Sequence, residues 1–258
     1  MFYVQIAGVL VAIENRYAFT ERLCADYIVD ISTDGCAFLV SATPEEIAAE
    51  NNDEGAFSPA YCESLALYRK MCTRLLDYDA FLFHAAVVSY AGRGYAFAAK
   101  SGTGKSTHVA QWMHALGNRV MVVNGDKPIL RWCGGEGAGA AGGEGYRAPG
   151  AFLAYGTPYC GKESWGQNTS APLRAVCFIE RCEPGEPDCL RRLGDDGEII
   201  NRMMNQILLP NDPVLAVRQL DLLDKLVTCV PFYVLRCTPT RAAFDAAFQM
   251  TLCDNENE

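Results

Sequence analysis

The sequence predicts an α/β fold, and three features lead there. Strand-like apolar runs and amphipathic helical runs intermingle along the C-terminal two thirds of the chain. One of those runs, Tyr95–Ala99, passes through a glycine-bearing turn straight into a helical pattern. The first 44 residues, by contrast, hold only short β-type runs. The expected organisation is a β-rich N-terminal segment plus one helix over residues 1–78, packed on an α/β domain over 79–258. A chain of 258 residues, half of them apolar, can bury a full core without help from metals or disulfides.

Taken in order, Val4–Ile13 is rich in β-branched residues and reads as a strand. Tyr27–Ile31 and Ala37–Val40 read as shorter ones. The acidic stretch Glu45–Ser58 reads as a short helix and a loop. Ser58-Pro59 then offers a hydroxyl N-cap followed by proline at the first helical position. Tyr61, Leu65, Tyr68, Cys72, Leu75 and Leu76 form one apolar face, so this helix runs to about Tyr78. Phe81–Tyr90 and Tyr95–Ala99 are strands around the turn Ala91-Gly92-Arg93-Gly94. A loop Lys100–Gly104, a helix from Lys105 to about Leu116 with Gly117 as its C-cap, and a strand Arg119–Val123 follow. Gly134–Gly145 contains only Gly, Ala and Glu and reads as an excursion between two strands. Further strands are expected at Ala175–Glu180 and Phe232–Cys237, and helices near Asp212–Val227 and Thr240–Cys253.

Bulk properties exclude several classes of function. A net charge of -9 and a pI near 4.9 repel phosphate backbones and acidic lipids, so neither nucleic acid nor membrane is an expected partner. The 12 cysteines are scattered, with no CxxC pair and only three histidines, so no zinc site is expected. Several lie in apolar runs, as Cys177 does, where cysteine acts as a small buried hydrophobe. Reduced core thiols suit a cytoplasmic protein. Ile6–Ile13 has no basic residue ahead of it and runs into Glu14-Asn15-Arg16, unlike a signal peptide.

The chemistry concentrates at Ala99-Lys100-Ser101-Gly102-Thr103-Gly104-Lys105-Ser106, which nearly fits the P-loop pattern GxxxxGK[ST]. Glycines let successive backbone N–H groups curl around a phosphate, and the following helix turns its positive end to the same anion. Lys105 can then reach the outer phosphate oxygens, and the Ser106 hydroxyl can complete the shell of Mg²⁺. Ser101–Thr107 are the expected nucleotide contacts. Ala99 departs from the pattern, at a cost only if its φ is positive. Asp126 ends an apolar strand, where a carboxylate can meet Mg²⁺ or take a hydroxyl proton. His84 sits inside an apolar run, an odd place for a titratable ring; a satisfied core histidine is the plain alternative.

Phe83-His84-Ala85 through Ala96-Phe97-Ala98-Ala99-Lys100-Ser101-Gly102-Thr103-Gly104-Lys105-Ser106 resembles the catalytic domain of HPr kinase/phosphorylase. Ser-Gly-Thr-Gly-Lys is also similar to the P-loop of ATP-dependent phosphoenolpyruvate carboxykinase, which shares that fold. The resemblance implies a mixed-sheet P-loop kinase domain of the carboxykinase-like type. It implies that Lys105 and Ser106 bind phosphates and Mg²⁺, that Asp126 is base or metal contact, and that His84 supports Asp126. The family has two consecutive aspartates where this chain has Gly125-Asp126. Tyr155–Lys162 resembles HPr-kinase-like bacterial proteins, which makes Lys162 a candidate phosphate contact. The later glycine- and asparagine-bearing signature of HPr kinases has no counterpart here, so HPr is not the expected substrate. Relatives oligomerise, and the resemblance extends that expectation to a homo-oligomer.

The function expected is ATP-dependent transfer of a phosphoryl group to a serine-type hydroxyl of a small molecule, peptide or protein. Two alternatives stay open: a nucleotide-binding regulatory module without transfer, and a simple ATPase.

Overall fold

The structure is a computed structural model that describes residues 1–30, 35–51, 57–134, 150–183 and 185–252. It is a mixed α/β fold with two sheets and seven α-helices among the described residues.

The N-terminal sheet contains β1 (Phe2–Ile6), β2 (Val9–Glu14) and β3 (Phe38–Ser41), with β1–β2 antiparallel and β2–β3 parallel. The continuous strand expected over Val4–Ile13 is thus a hairpin. Ala7 and Gly8 at φ 51° and 74° make a two-residue turn of the left-handed kind that suits the twist of paired strands. Tyr27–Ile31 is not a strand either: Ala25–Tyr27 is one 3-10 turn, Ile28 makes a single bridge to Val4, and Ile31 lies outside the described residues.

Helices α2 (Pro44–Ala49) and α3 (Pro59–Leu75) cover this sheet, and α1 (Ala18–Leu23) packs on α3. Thr43 and Glu46 close a reciprocal capping box on α2, and Ser58 caps α3 with proline at its first turn. Cys62, Leu67, Met71 and Leu75 of α3 pack on Val4, Val11, Ile13 and Val40 of the sheet. Glu63, fully buried, accepts from the backbone N–H groups of Arg16 and Tyr17 at 2.6 and 3.0 Å, which ties α3 to the chain before α1. Ala80 and Ile129 of the larger sheet join the same apolar cluster.

The larger sheet runs β4 (Ala80–Leu82), β8 (Ile129–Cys133), β9 (Ala151–Tyr155), β10 (Ser170–Arg181), β6 (Arg93–Ala98), β5 (Ala85–Tyr90) and β7 (Val120–Asn124). β12 (Phe232–Cys237) lies beside β10, and β11 (Cys189–Arg192) beside β12. β10 is longer than the expected Ala175–Glu180 because it serves two neighbourhoods. Ser170–Pro172 pair antiparallel with β9, and from Leu173 onward the strand pairs parallel with β6 and then β12.

Helices pack on both faces. Trp112 of α4 (Lys105–Leu116) and Phe244 of α7 (Arg241–Phe248) meet Tyr95, Phe97 and Cys177. Met203 of α5 (Asp196–Met204) and Leu222, Leu223 and Leu226 of α6 (Pro213–Cys229) meet Ala96, Val176 and Val234 on the other face. Strands buried on both sides read as near-continuous apolar runs, which is why β5, β6 and β12 are visible in the sequence. Exposed β11 and the short α5 give no such signal and are not foreseen.

Two expected elements change shape. Phe81–Tyr90 breaks at Phe83-His84, so His84 stands between β4 and β5. The final helix stops at Phe248 and tightens to a 3-10 turn over Gln249–Thr251, with Cys253 beyond the described residues. The glycine tract expected as an excursion lies outside the described residues from 135 onward, between β8 and β9.

The cysteines among the described residues are free. No helix among them is long and apolar enough to cross a membrane.

Candidate phosphate-binding site

β6 sits mid-sheet and delivers its last residue, Ala98, to the sheet edge where the turn begins. Ala99 is buried in the α4–α7 apolar cluster, and its φ is not positive, so the departure from the glycine pattern carries no backbone strain. The turn closes with Thr103 N–H donating to the Lys100 carbonyl at 3.1 Å. Gly104, at φ 120°, is the N-cap of α4 and offers no side chain to the helix, so the first-turn amides are left for another acceptor. Arg181, at the end of β10, donates to the carbonyls of Gly102 and Thr103, which fixes those oxygens away from the cavity.

Across the cavity, β7 ends in Asn124, which is fully buried. Its Nδ2 donates to the Thr157 carbonyl and hydroxyl at 3.1 and 3.0 Å, and its Oδ1 accepts from the amides of Asp126 and Lys127, both at 2.8 Å. That turn aims the Asp126 carboxylate at the P-loop. Lys105 Nζ donates to Asp126 Oδ1 at 2.8 Å, His84 Nε2 lies 3.1 Å from the same oxygen, and Lys127 Nζ donates to Oδ2 at 2.5 Å. The His84 backbone N–H donates to the Gln206 carbonyl at 2.6 Å, which holds the strand break in place.

The structure thus brings His84, Lys105 and Asp126 into one cluster. Burial opposes ionisation of Asp126, but the His84 hydrogen bond and the Lys105 and Lys127 ammoniums outweigh it and hold the carboxyl well below the usual range. Burial pulls the Lys105 ammonium below its ordinary value, against the attraction of Asp126.

Ser101–Thr107, Asp126, His84 and the exposed Lys162 surround one cavity of about 810 Å³; of that stretch, Thr103 alone is not on its wall. Thr103 faces a flanking cavity of about 460 Å³ on the outer side of the turn, between α4 and the Thr238-Pro239-Thr240 segment. His108 is on the wall of that cavity. Its Nε2 accepts from Trp112 Nε1 at 3.1 Å, its Nδ1 has no protein partner, and burial lowers its pKa to about 4.

Gly125, where the resembled family carries an aspartate, is tightly enclosed. A Cβ there would lie 2.6 Å from the Cys160 carbonyl and 3.0 Å from that of Trp165. The segment after Thr157 occupies the room that an acid side chain at 125 would need. It is held by Tyr159, whose ring stacks on Tyr68 of α3 with centroids 3.8 Å apart and whose hydroxyl donates to the Ser64 carbonyl at 2.6 Å.

Lys127, Asn124, Thr157 and Arg181 are the parts that sequence reading missed. Lys127 had a signal in its place beside Asp126. Thr157 and Arg181 act through contacts between distant segments, and Asn124 both closes the local turn to Asp126 and reaches Thr157.

Mg²⁺ fits the donors present. Among the described residues no cluster of three or more His, Cys, Asp or Glu could hold a metal ion. Mg²⁺ needs none, since it commonly takes one or two protein oxygens and fills its shell with phosphate and water. Ser106 and Asp126 both carry oxygens on the wall of the cavity.

No protein-family model and no curated protein matches the sequence. Among solved structures, an HPr(Ser) kinase/phosphatase from Coxiella burnetii is similar at 10% identity and a TM-score of 0.33, over 68% of this chain and 89% of that one. That is a distant likeness and carries nothing about the chemistry of the site.

Proposed function

We propose that this chain is a kinase-type phosphotransferase that binds Mg²⁺ and ATP and passes the terminal phosphoryl group to a hydroxyl. The observation that carries the reading is the Lys105–Asp126 contact of 2.8 Å at the mouth of an open, uncapped helix N-terminus. A cation and an acid held there have the roles phosphoryl transfer asks for: one balances charge on the phosphates, the other orients the acceptor.

The turn amides and Lys105 hold the polyphosphate, and the flanking cavity beside Thr103 and His108 takes the nucleoside. Ser106 and Asp126 hold Mg²⁺, which supplies further charge neutralisation when bound. Lys105 and Lys127 exchange Asp126 for phosphate oxygens as the anion enters. That exchange frees the Asp126 carboxylate to meet Mg²⁺ and to orient the acceptor hydroxyl.

A second reading, nucleotide binding without transfer, is favoured by one feature: without nucleotide, Asp126 is occupied by three partners and is a weak base. The two readings separate by experiment. With labelled ATP and pooled hydroxyl compounds and peptides, the parent transfers label. Lys105→Ala loses roughly a hundredfold in rate. Asp126→Asn loses transfer and keeps most nucleotide binding by calorimetry. Lys105→Ala turning over like the parent rules out the kinase reading, and a parent that binds nucleotide, labels no acceptor and releases no phosphate supports the second.

A further inference from the structure

The cavity at the P-loop has a neighbour on the other side of Asp126. A cavity of about 400 Å³ lies between α3, β4 and the segment Asn205–Leu208. Tyr61, Leu65, His84 and Lys127 line both cavities, and none of Ser101–Thr107 lines this one. The two spaces therefore meet along these four side chains, two of which, His84 and Lys127, hold the Asp126 carboxylate that lines the first. In-line displacement places the attacking and leaving oxygens on opposite sides of the phosphorus. With the polyphosphate on the turn, this neighbour offers the attacking oxygen a route that does not pass the turn itself.

Its walls define what it accepts. Tyr68, Leu82, Ile207 and Leu208 make an apolar interior, and the rings of Phe57 and Tyr61, 5.2 Å apart, form an exposed rim. Arg69 is closed into a double hydrogen bond with Glu50 at 2.7 and 3.0 Å, so that pair adds no net charge. Beyond that pair, the polar side chains on its wall are Lys127, His84, Asn205 and Gln206. Gln206, 6% exposed, is also on the wall, and its Oε1 has no protein partner. A recess of this volume is of the size that takes a small molecule.

Resting on the phosphotransfer reading above, the geometry points to a small alcohol with an apolar, ring-bearing body as the acceptor, its body in this cavity and its hydroxyl at Asp126. The hydroxyl oxygen forms a bond to the terminal phosphorus as the bond from that phosphorus to its bridging oxygen breaks. The departing nucleoside diphosphate keeps that electron pair, and the hydroxyl proton passes to Asp126 and on to solvent.

The test compares N-acetyl-L-serinamide with N-benzoyl-L-serinamide, which share a hydroxyl and a charge and differ in apolar body. The benzoyl compound is expected to show a kcat/KM for transfer about tenfold or more above the acetyl compound. Leu208→Trp fills the cavity and removes that preference, while nucleotide affinity stays within about twofold. Phe57→Ala changes only the exposed rim and lowers the preference partway, which keeps the test decisive if the tryptophan variant does not fold. Equal turnover of both compounds by the parent, or an undiminished preference in both variants, overturns the inference.

If nucleotide binds and neither compound is phosphorylated, calorimetry with a non-hydrolysable triphosphate decides the question. Binding of the benzoyl compound that Leu208→Trp weakens upholds the cavity, and no binding overturns it. Failure of any nucleotide to bind strikes the kinase reading instead, and the same benzoyl titration without nucleotide still judges the cavity.

Discussion

On the P-loop side of Asp126, Gly102 and Gly104 stand at φ 75° and 120°, and nothing lies within 4 Å of where a Cβ would sit. On the opposite side, a Cβ on Gly125 would fall 2.6 Å from the Cys160 carbonyl, and one on Gly156 would fall 1.8 Å from that of Gln167. The first pair are glycines because the backbone turns left-handed there. The second pair are glycines because two stretches of backbone already touch. One loop stands open and the other is shut against the end of β7, and Asp126 sits where they meet. The shut loop gives the acid its aim and also excludes a second acid at position 125.

The same substitution on the two sides separates these roles. Gly156→Ala forces a methyl into carbonyls of both Gln167 and Val123, and backbone cannot step aside as a flexible side chain can. We expect a loss of roughly 3 kcal/mol or more in chemical denaturation, toward the severe end for a single methyl. A thermal midpoint unchanged from the parent would show that the loop is not shut.

The packed floor beneath the open turn has its own signature. His108 lies under the P-loop at 4% exposure with its pKa lowered to about 4, against an unfolded value near 6.5. Between those values the unfolded chain binds more protons than the folded one, so stability rises with pH across that window. Acidifying from pH 6.5 to 4 should cost up to about 3 kcal/mol from this group. His108→Gln can still accept from Trp112 and cannot titrate, so its stability profile should be flatter over the same range. A parent profile that matches the variant's would remove His108 from the account.

Gly102→Ala is the open-side counterpart of Gly156→Ala. No neighbour is struck, so only the left-handed strain of about 1–2 kcal/mol applies to stability. The larger consequence falls on binding, where the methyl enters the space a phosphate needs. Roughly tenfold weaker nucleotide binding is expected by calorimetry, with the thermal midpoint only a few degrees lower. Unimpaired binding would mean that the turn holds no phosphate.

This division also accounts for what could be read from sequence. The P-loop is local: its glycines, lysine and serine are consecutive, and the strand before and helix after them are amphipathic or buried enough to show. Asp126 was readable for the same reason, as the acid ending an apolar run. The shut loop is not local. Gly156 reads as a turn residue and Gly125 as half of Asn-Gly, yet both are set by contacts with residues more than ten positions away. The hairpin at Ala7-Gly8 escaped because an alanine occupies a left-handed position that usually calls for glycine or asparagine. The break at His84 escaped because its neighbours on both sides are apolar, and only the Gln206 carbonyl, far along the chain, shows why the strand stops there.

The smallest effect tests the one place where the P-loop departs from its pattern. Ala99 is 5% exposed, packs in the α4–α7 cluster, and does not adopt positive φ. A glycine at 99 would therefore gain no conformation that alanine lacks, and would lose a buried methyl and some backbone rigidity. Ala99→Gly should cost under about 1.5 kcal/mol in stability and leave nucleotide affinity within about twofold. A variant that bound nucleotide much more tightly would place position 99 on the open side of the comparison, where a side chain obstructs the anion. Ala99 lines the cavity, but at 5% exposure and packed against α4 and α7 its methyl belongs to the packed side.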